Sequence, residues 1–229
     1  MGKQRGFTLI ELIAVIILLT ISGIAVYNFI GFGAQIFAGG VERGQLSGSA
    51  RFAANRFSRE LKEALPGSVN VSNGGNCIEF LPIKTAGQYI SLARNSSQTM
   101  SIITPVGEGV EVGDTIQVSS VSDTVSSVTD GSIDGTTEIT LENGLNRESR
   151  AKRYYIIKSS AEYCVAAGDL LRDGTLMSEG IEVDGSGIPF FTAETPTLRR
   201  NGLVRVYLPF VRKEQKLTVD IEVPIKNVP

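Results

Sequence analysis

Gly6-Phe7-Thr8-Leu9-Ile10-Glu11-Leu12-Ile13, continued by Ala14-Val15-Ile16-Ile17-Leu18-Leu19, decides how the chain must be read. A short basic segment with Lys3 and Arg5 precedes it, and from Phe7 to Phe32 the residues are almost all apolar. Glu11 breaks that run five residues in. A charge inside a membrane-length helix costs about 2.5–3.5 kcal/mol on insertion scales, so its presence marks function. Four-residue spacing sets the Phe7 backbone nitrogen and the Glu11 carboxylate one helical turn apart. Cutting the chain after Gly6 would turn the Phe7 nitrogen into an ammonium, the cation that a carboxylate in lipid needs. The charge makes sense in a processed chain.

Gly6-Phe7-Thr8-Leu9-Ile10-Glu11 resembles the leader of type IV prepilins and of type II secretion pseudopilins. The resemblance implies that a membrane peptidase cuts between Gly6 and Phe7 and methylates the new terminal nitrogen of Phe7. It also implies that Glu11 meets the terminal amine of a neighbouring subunit during filament assembly. By itself the motif covers only about the first thirty residues.

Composition narrows the rest. The 229 residues allow one ordinary domain plus an anchor, or two small domains. A 42% hydrophobic and 20% charged chain is globular rather than disordered. Without Lys3 and Arg5, the 22 basic residues fall to 20 against 24 acidic, a balance of −4. That balance does not point to nucleic acid. The absence of histidine removes Ser-His-Asp and Cys-His catalysis and histidine-ligated metals together. Cys77 and Cys164 are too few and too isolated for a thiolate zinc site. In the periplasmic domain that the resemblance implies, the two most simply make one disulfide. Two unpaired buried thiols are the alternative.

Myristoylation and ordinary secretion suit the N-terminal residues less well. Myristoylation after Met1-Gly2 wants Ser or Thr where Gly6 stands. A secretory signal cut after Gly23-Ile24-Ala25 has an acceptable small-residue site, but it would put Glu11 inside its apolar core.

In chain order, Phe7 to Phe32 supplies 26 residues, enough for a hydrocarbon core that needs about 20. Lys3 and Arg5 would stay cytoplasmic, sending the rest outward. Gly31, Gly33, Gly39, Gly40, Gly44 and Gly48 then predict a weak, bendable helix, since each costs about 1 kcal/mol relative to alanine. Asn28 stands where many major pilins have a proline kink. From Leu46 an apolar stripe reappears at Ala50, Ala53, Phe57, Leu61 and Ala64. Arg56 with Glu60 and Arg59 with Glu63 are expected as i,i+4 pairs. Pro66-Gly67 stops the helix.

Beyond Pro66 the pattern is β. Strands are expected at Cys77–Leu81, Ser101–Ile103, Glu138–Leu141, Tyr154–Ile157, Tyr163–Val165 and Leu170–Arg172. Val110 and Val112 should form a short hairpin with Ile116 and Val118 around Gly113-Asp114. Ser119 to Thr137, rich in Ser, Thr, Asp and Gly, reads as an exposed loop or weak ribbon. Leu217, Val219, Ile221, Val223 and Ile225 alternate with polar residues as a half-buried strand. Leu203 to Leu208 should pair with it, and Pro224 places it at a sheet edge.

This order extends the resemblance to the larger minor pilins, including O-type minor pilins of mannose-sensitive haemagglutinin (MSHA) pili, and to J-type pseudopilins. The matching segments are Glu60 to Pro66, Glu162 to Val165, Leu170 to Arg172, Val219 to Val223 and Asn227 to Pro229. The resemblance implies an α+β fold, with a long N-terminal helix packed on a β-rich head. It divides the chain into a leader at 1–6, a membrane or filament-core helix at 7–32 and an amphipathic half at 33–65. A periplasmic head follows at 66–229, with residues 86–150 set apart as an insertion that matches no pilin pattern. Implied partners are major and minor pilins, the prepilin peptidase and methyltransferase, the inner-membrane assembly platform and, before assembly, the lipid bilayer. No cofactor and no catalytic role are implied.

The remaining motifs read as structure. Asp130, Asp134 and Glu138 raise a calcium reading, but their spacing is not that of an EF-hand loop, and Asp-Gly pairs are ordinary turns. Gly107-x-Gly109 has no helix after it to complete a phosphate cradle. Arg147, Arg150, Lys152 and Arg153 are interrupted by Glu148 and read as a solvated loop rather than a phosphate track.

Overall fold

The computed structural model describes residues 8–105, 109–131, 135–183, 187–196 and 200–225. The fold is α+β and falls into two units, one ending at Gly48 and one beginning at Ser49. A single helix, α1 (Leu9–Lys62), contributes to both. It passes unbroken through Asn28 and through the glycine-rich stretch. A Cβ at Gly31, Gly33, Gly39, Gly40, Gly44 or Gly48 would meet nothing within 4 Å, so no packing inside the chain demands these glycines.

Within the second unit, Ala50, Ala53, Phe57 and Leu61 are at most 1% exposed and form the buried stripe of α1. The helix ends at Lys62, earlier than Pro66 alone dictates. The reason is capture by the neighbouring chain. Leu65 donates its N–H to the Leu81 carbonyl (2.8 Å), and Ile83 donates to the Glu63 carbonyl (2.8 Å). Arg56 and Glu60 pair as expected at 2.9 Å, whereas Arg59 and Glu63 do not pair.

The first strands are β1 (Asn70–Ser72) and β2 (Cys77–Phe80). Six more follow: β3 (Ile83–Ser91), β4 (Thr99–Ile103), β5 (Thr115–Val118), β6 (Val121–Asp130), β7 (Thr136–Leu141) and β8 (Arg153–Ile157). Then come β9 (Ala161–Ala166), β10 (Asp169–Arg172), β11 (Thr175–Glu179) and β12 (Phe191–Glu194). The last described strands, β13 (Gly202–Arg212) and β14 (Gln215–Ile225), make a long hairpin.

Strands β1, β2, β9, β10 and β11 form an antiparallel sheet in that order. Phe57 of α1 packs edge-on against Tyr163 (centroids 5.0 Å apart) and stacks on Phe191 (5.6 Å). Strands β12, β13 and β14 form a second sheet. Strand β14 pairs with β13 from Gln215 to Ile225 and lies at the sheet edge, where Pro224 loses no ladder partner.

Strands β3 to β8 close a six-stranded barrel in the order β3-β4-β7-β6-β5-β8, with every neighbouring pair antiparallel. Its interior is filled by Met100, Ile102, Ile116, Ile139, Tyr154 and Ile156, all fully buried, with other apolar residues around them. Irregular registers on β3 and β6 bend strands that must curve into so small a closed sheet. Gly87 sits opposite Tyr154, and a Cβ there would lie 2.8 Å from the Tyr154 ring. The glycine leaves space for that ring, whose hydroxyl donates to the Ile103 carbonyl (3.1 Å).

The barrel corrects one expectation and decides another. Val110 and Val112 do not form a hairpin with Ile116 and Val118; β5 pairs instead with β6 and β8. Of the two readings of Ser119 to Thr137 the ribbon holds and the exposed loop does not: ten of its residues form β6, which pairs with β5 and β7. Asp123 and Val125 turn inward on β6, and Val128 packs against the barrel core. The register shift between Val125 and Ser127 hides this alternation from a simple period-two reading.

Candidate assembly site

Glu11 lies in the first turn of α1, where its own N–H and that of Leu12 donate to the Thr8 carbonyl at 3.1 and 3.2 Å. Among the described residues no cation pairs with it. Gly6 and Phe7, the expected cleavage and methylation positions, lie outside the described residues. Around Glu11 the helix is bare. Leu9, Ile10, Leu12, Ile13, Ile16 and Ile17 are each about half exposed or more, and the pattern continues to Phe37. This segment is long and apolar enough to cross a membrane, and none of it is buried within the chain. So much uncovered apolar surface is stable only against lipid or other helices.

In the second unit the last turns of α1 are tied to the sheet by charge. Glu60 receives Arg56 Nε at 2.9 Å through one oxygen and Arg172 Nε at 2.8 Å through the other. Burial opposes ionisation of Glu60, yet the Arg172 and Arg56 hydrogen bonds outweigh it and hold the carboxyl below its usual range. The Tyr163 hydroxyl lies beside this carboxylate without a hydrogen bond of normal geometry. Burial first, and the Glu60 charge second, push the phenol up to about 12. Sequence reading finds the Arg56–Glu60 half of this network. It misses Arg172, which is 112 residues away and reaches Glu60 only through the fold.

Cys77 and Cys164 face each other across β2 and β9 and are joined as a disulfide. The loop between them contains the whole barrel, so the bond clasps the two strands from which the barrel departs. Glu162 lies close to both sulfurs, but disulfide sulfurs do not ligate a metal as thiolates do.

Asp123 carries no local sequence signal of its role. It accepts the backbone N–H groups of Thr124 (2.9 Å), Asn143 (2.9 Å) and Gly144 (2.7 Å), and also the Asn143 side-chain amide (3.2 Å). Burial resists its ionisation, but these donors more than compensate and lower its pKa. It pins the β7–β8 connection to the barrel.

Asp134 and Gly107 lie outside the described residues; the Asp130 backbone stands opposite Thr137 in the β6–β7 ladder, as strand pairing rather than a calcium loop requires. In the basic cluster, Arg147 donates to the Ser120 hydroxyl (2.8 Å), and Glu148 pairs with Arg94.

Residues 1–27 match the family described as "Prokaryotic N-terminal methylation motif". No curated protein and no solved structure matches the chain. The family match, joined to the long apolar helix carrying Glu11, supports a type IV pilin-like protein of the pilin or pseudopilin kind, anchored through its N-terminal helix.

Proposed function

We propose that the chain is a minor prepilin of an MSHA-type pilus, acting in initiation or at the tip of the filament. The peptidase cuts between Gly6 and Phe7, and the new Phe7 nitrogen is methylated. Residues 7–32 hold the subunit in the inner membrane and then pass into the filament core. Residues 66–229 form the periplasmic head, and 86–150 are an insertion into it. The subunit's role is structural, not catalytic, and its partners are other pilins and the assembly platform.

The observation that carries this reading is a carboxylate without a cation among the described residues, in the first turn of a bare apolar helix beside the Gly6-Phe7 cleavage signature. In a low-dielectric surround the carboxylate is neutralised best by a terminal ammonium on a neighbouring subunit. Glu11→Ala is therefore expected to leave cleavage and membrane insertion intact and to abolish recovery of the protein in sheared filaments. Normal incorporation of the variant would remove Glu11 from the mechanism.

A further inference from the structure

The outer wall of the barrel carries a cleft with an unusual lining. On β8, Tyr154 and Ile156 are fully buried, so the alternating Arg153 and Tyr155 face outward. Gln88 stands opposite Arg153 in the β3 ladder, and Ala86 opposite Tyr155. On the other side, Gln117 of β5 stands opposite Tyr155. Arg153, Tyr155, Gln88 and Ala86 line a cleft of about 300 Å³. A smaller cleft of about 70 Å³ shares Arg153 and Tyr155 and is bounded by Pro66, Gln117 and Ser149.

The charge is one-sided. Among the described residues no acidic side chain lines either cleft. Among the described residues no carboxylate pairs with Arg153, nor with Arg150 or Lys152 beside it. A guanidinium with no carboxylate partner among the described residues suits a ligand carboxylate through two parallel hydrogen bonds. Beside it, the half-buried Tyr155 offers a ring face and the Gln88 amide offers both donors and acceptors, while Gln117, on the β5 side, already donates its amide to the Ser119 carbonyl (3.1 Å). This combination fits a ligand with an anionic group on a hydroxyl-rich ring.

From these features we infer that the β3–β8 cleft binds an acidic saccharide. The uronate carboxylate meets Arg153, the apolar face of the sugar ring lies on Tyr155, and ring hydroxyls bond Gln88. Nucleic acid fits less well. A strand needs a continuous cationic track with repeated stacking platforms, whereas residues 83–157 carry six basic against nine acidic side chains. A cleft of this size, at the small end of ligand sites, suits one or two sugar units rather than a long polymer track. The inference stands on the barrel alone and does not depend on the filament reading.

The test is isothermal titration of the intact chain in detergent micelles with tetragalacturonate, maltotetraose and a single-stranded 12-mer DNA. Tetragalacturonate is expected to bind, and to weaken as salt rises. Arg153→Gln and Tyr155→Ala should each weaken it at least tenfold without changing the melting temperature, while Tyr155→Phe and the surface control Arg212→Gln retain binding. Equal binding of maltotetraose, tighter binding of DNA, indifference to Arg153→Gln, or no binding of tetragalacturonate would each overturn the inference.

Discussion

At the residue scale, two carboxylates show how the head stabilises buried charge. Glu60 and Asp123 both titrate below the usual carboxylate range, Glu60 through Arg172 and Arg56 and Asp123 through backbone donors, in each case against burial. A lowered folded-state pKa means that the stabilising contribution is complete above the ordinary carboxylate value of about 4 and is lost as pH falls through the lowered value. Acid unfolding of the wild-type head should therefore steepen below about pH 4. Glu60→Gln should cost about 1 kcal/mol at neutral pH, less than the ~1.5–3 kcal/mol of a buried charged hydrogen bond because Arg172 is partly open to water. The same variant should flatten that acid limb in a pH series of denaturant melts; an unchanged limb would remove Glu60 from it. Neither partnership is legible in full from the sequence. Arg56–Glu60 follows a four-residue rule, but Arg172 and Asp123 find their partners through strand order.

At the element scale, the apolar stripe from Leu46 and the alternation from Leu217 to Ile225 announce the ends of the head. In both the period is regular, although on β14 only Val223 and Ile225 are buried and Leu217 stays exposed. The barrel is harder to see. Its strand β6 is built largely from Ser, Thr and Asp, and a register shift breaks its alternation. Closure also hides the pairing, since β4 bonds to β7 and β5 to β8, not only to sequence neighbours. Gly87 is where the wall crowds the Tyr154 ring. Gly87→Ala pushes a Cβ first against the Ile103 carbonyl and then against that ring, and should lower stability by about 1–3 kcal/mol in thermal melts. A neutral result would mean that the wall can shift there. The Cys77–Cys164 bond works at the barrel's neck, closing a span of 87 residues worth about 4–5 kcal/mol in the chain-entropy picture. The double Cys→Ala variant should lose about 2–5 kcal/mol while β2 and β9 stay paired, as amide exchange of Ile78 and Tyr163 would report. Loss of that pairing would make the bond a condition of the sheet rather than a clasp upon it.

At the scale of the whole molecule, the N-terminal segment and the head pose different problems to the solvent. The first presents leucine, isoleucine, valine and phenylalanine side chains that stand exposed among the described residues. The second buries its apolar residues under α1, in two sheets and in a barrel. A protein so divided needs another phase or other subunits for its first unit, and in the proposed mechanism Glu11 is the group that meets a neighbouring subunit. The amino terminus is the most legible part of the sequence because glycine, an aromatic residue, an apolar run and one acid must coincide within six positions. Mass analysis of the amino-terminal peptide from protein purified out of its own membrane reads the central claim directly. A mature chain that begins at N-methylated Phe7 is expected; a chain that begins at Val26, or one that keeps Met1 to Gly6 in the filament, would overturn the processing of a prepilin leader.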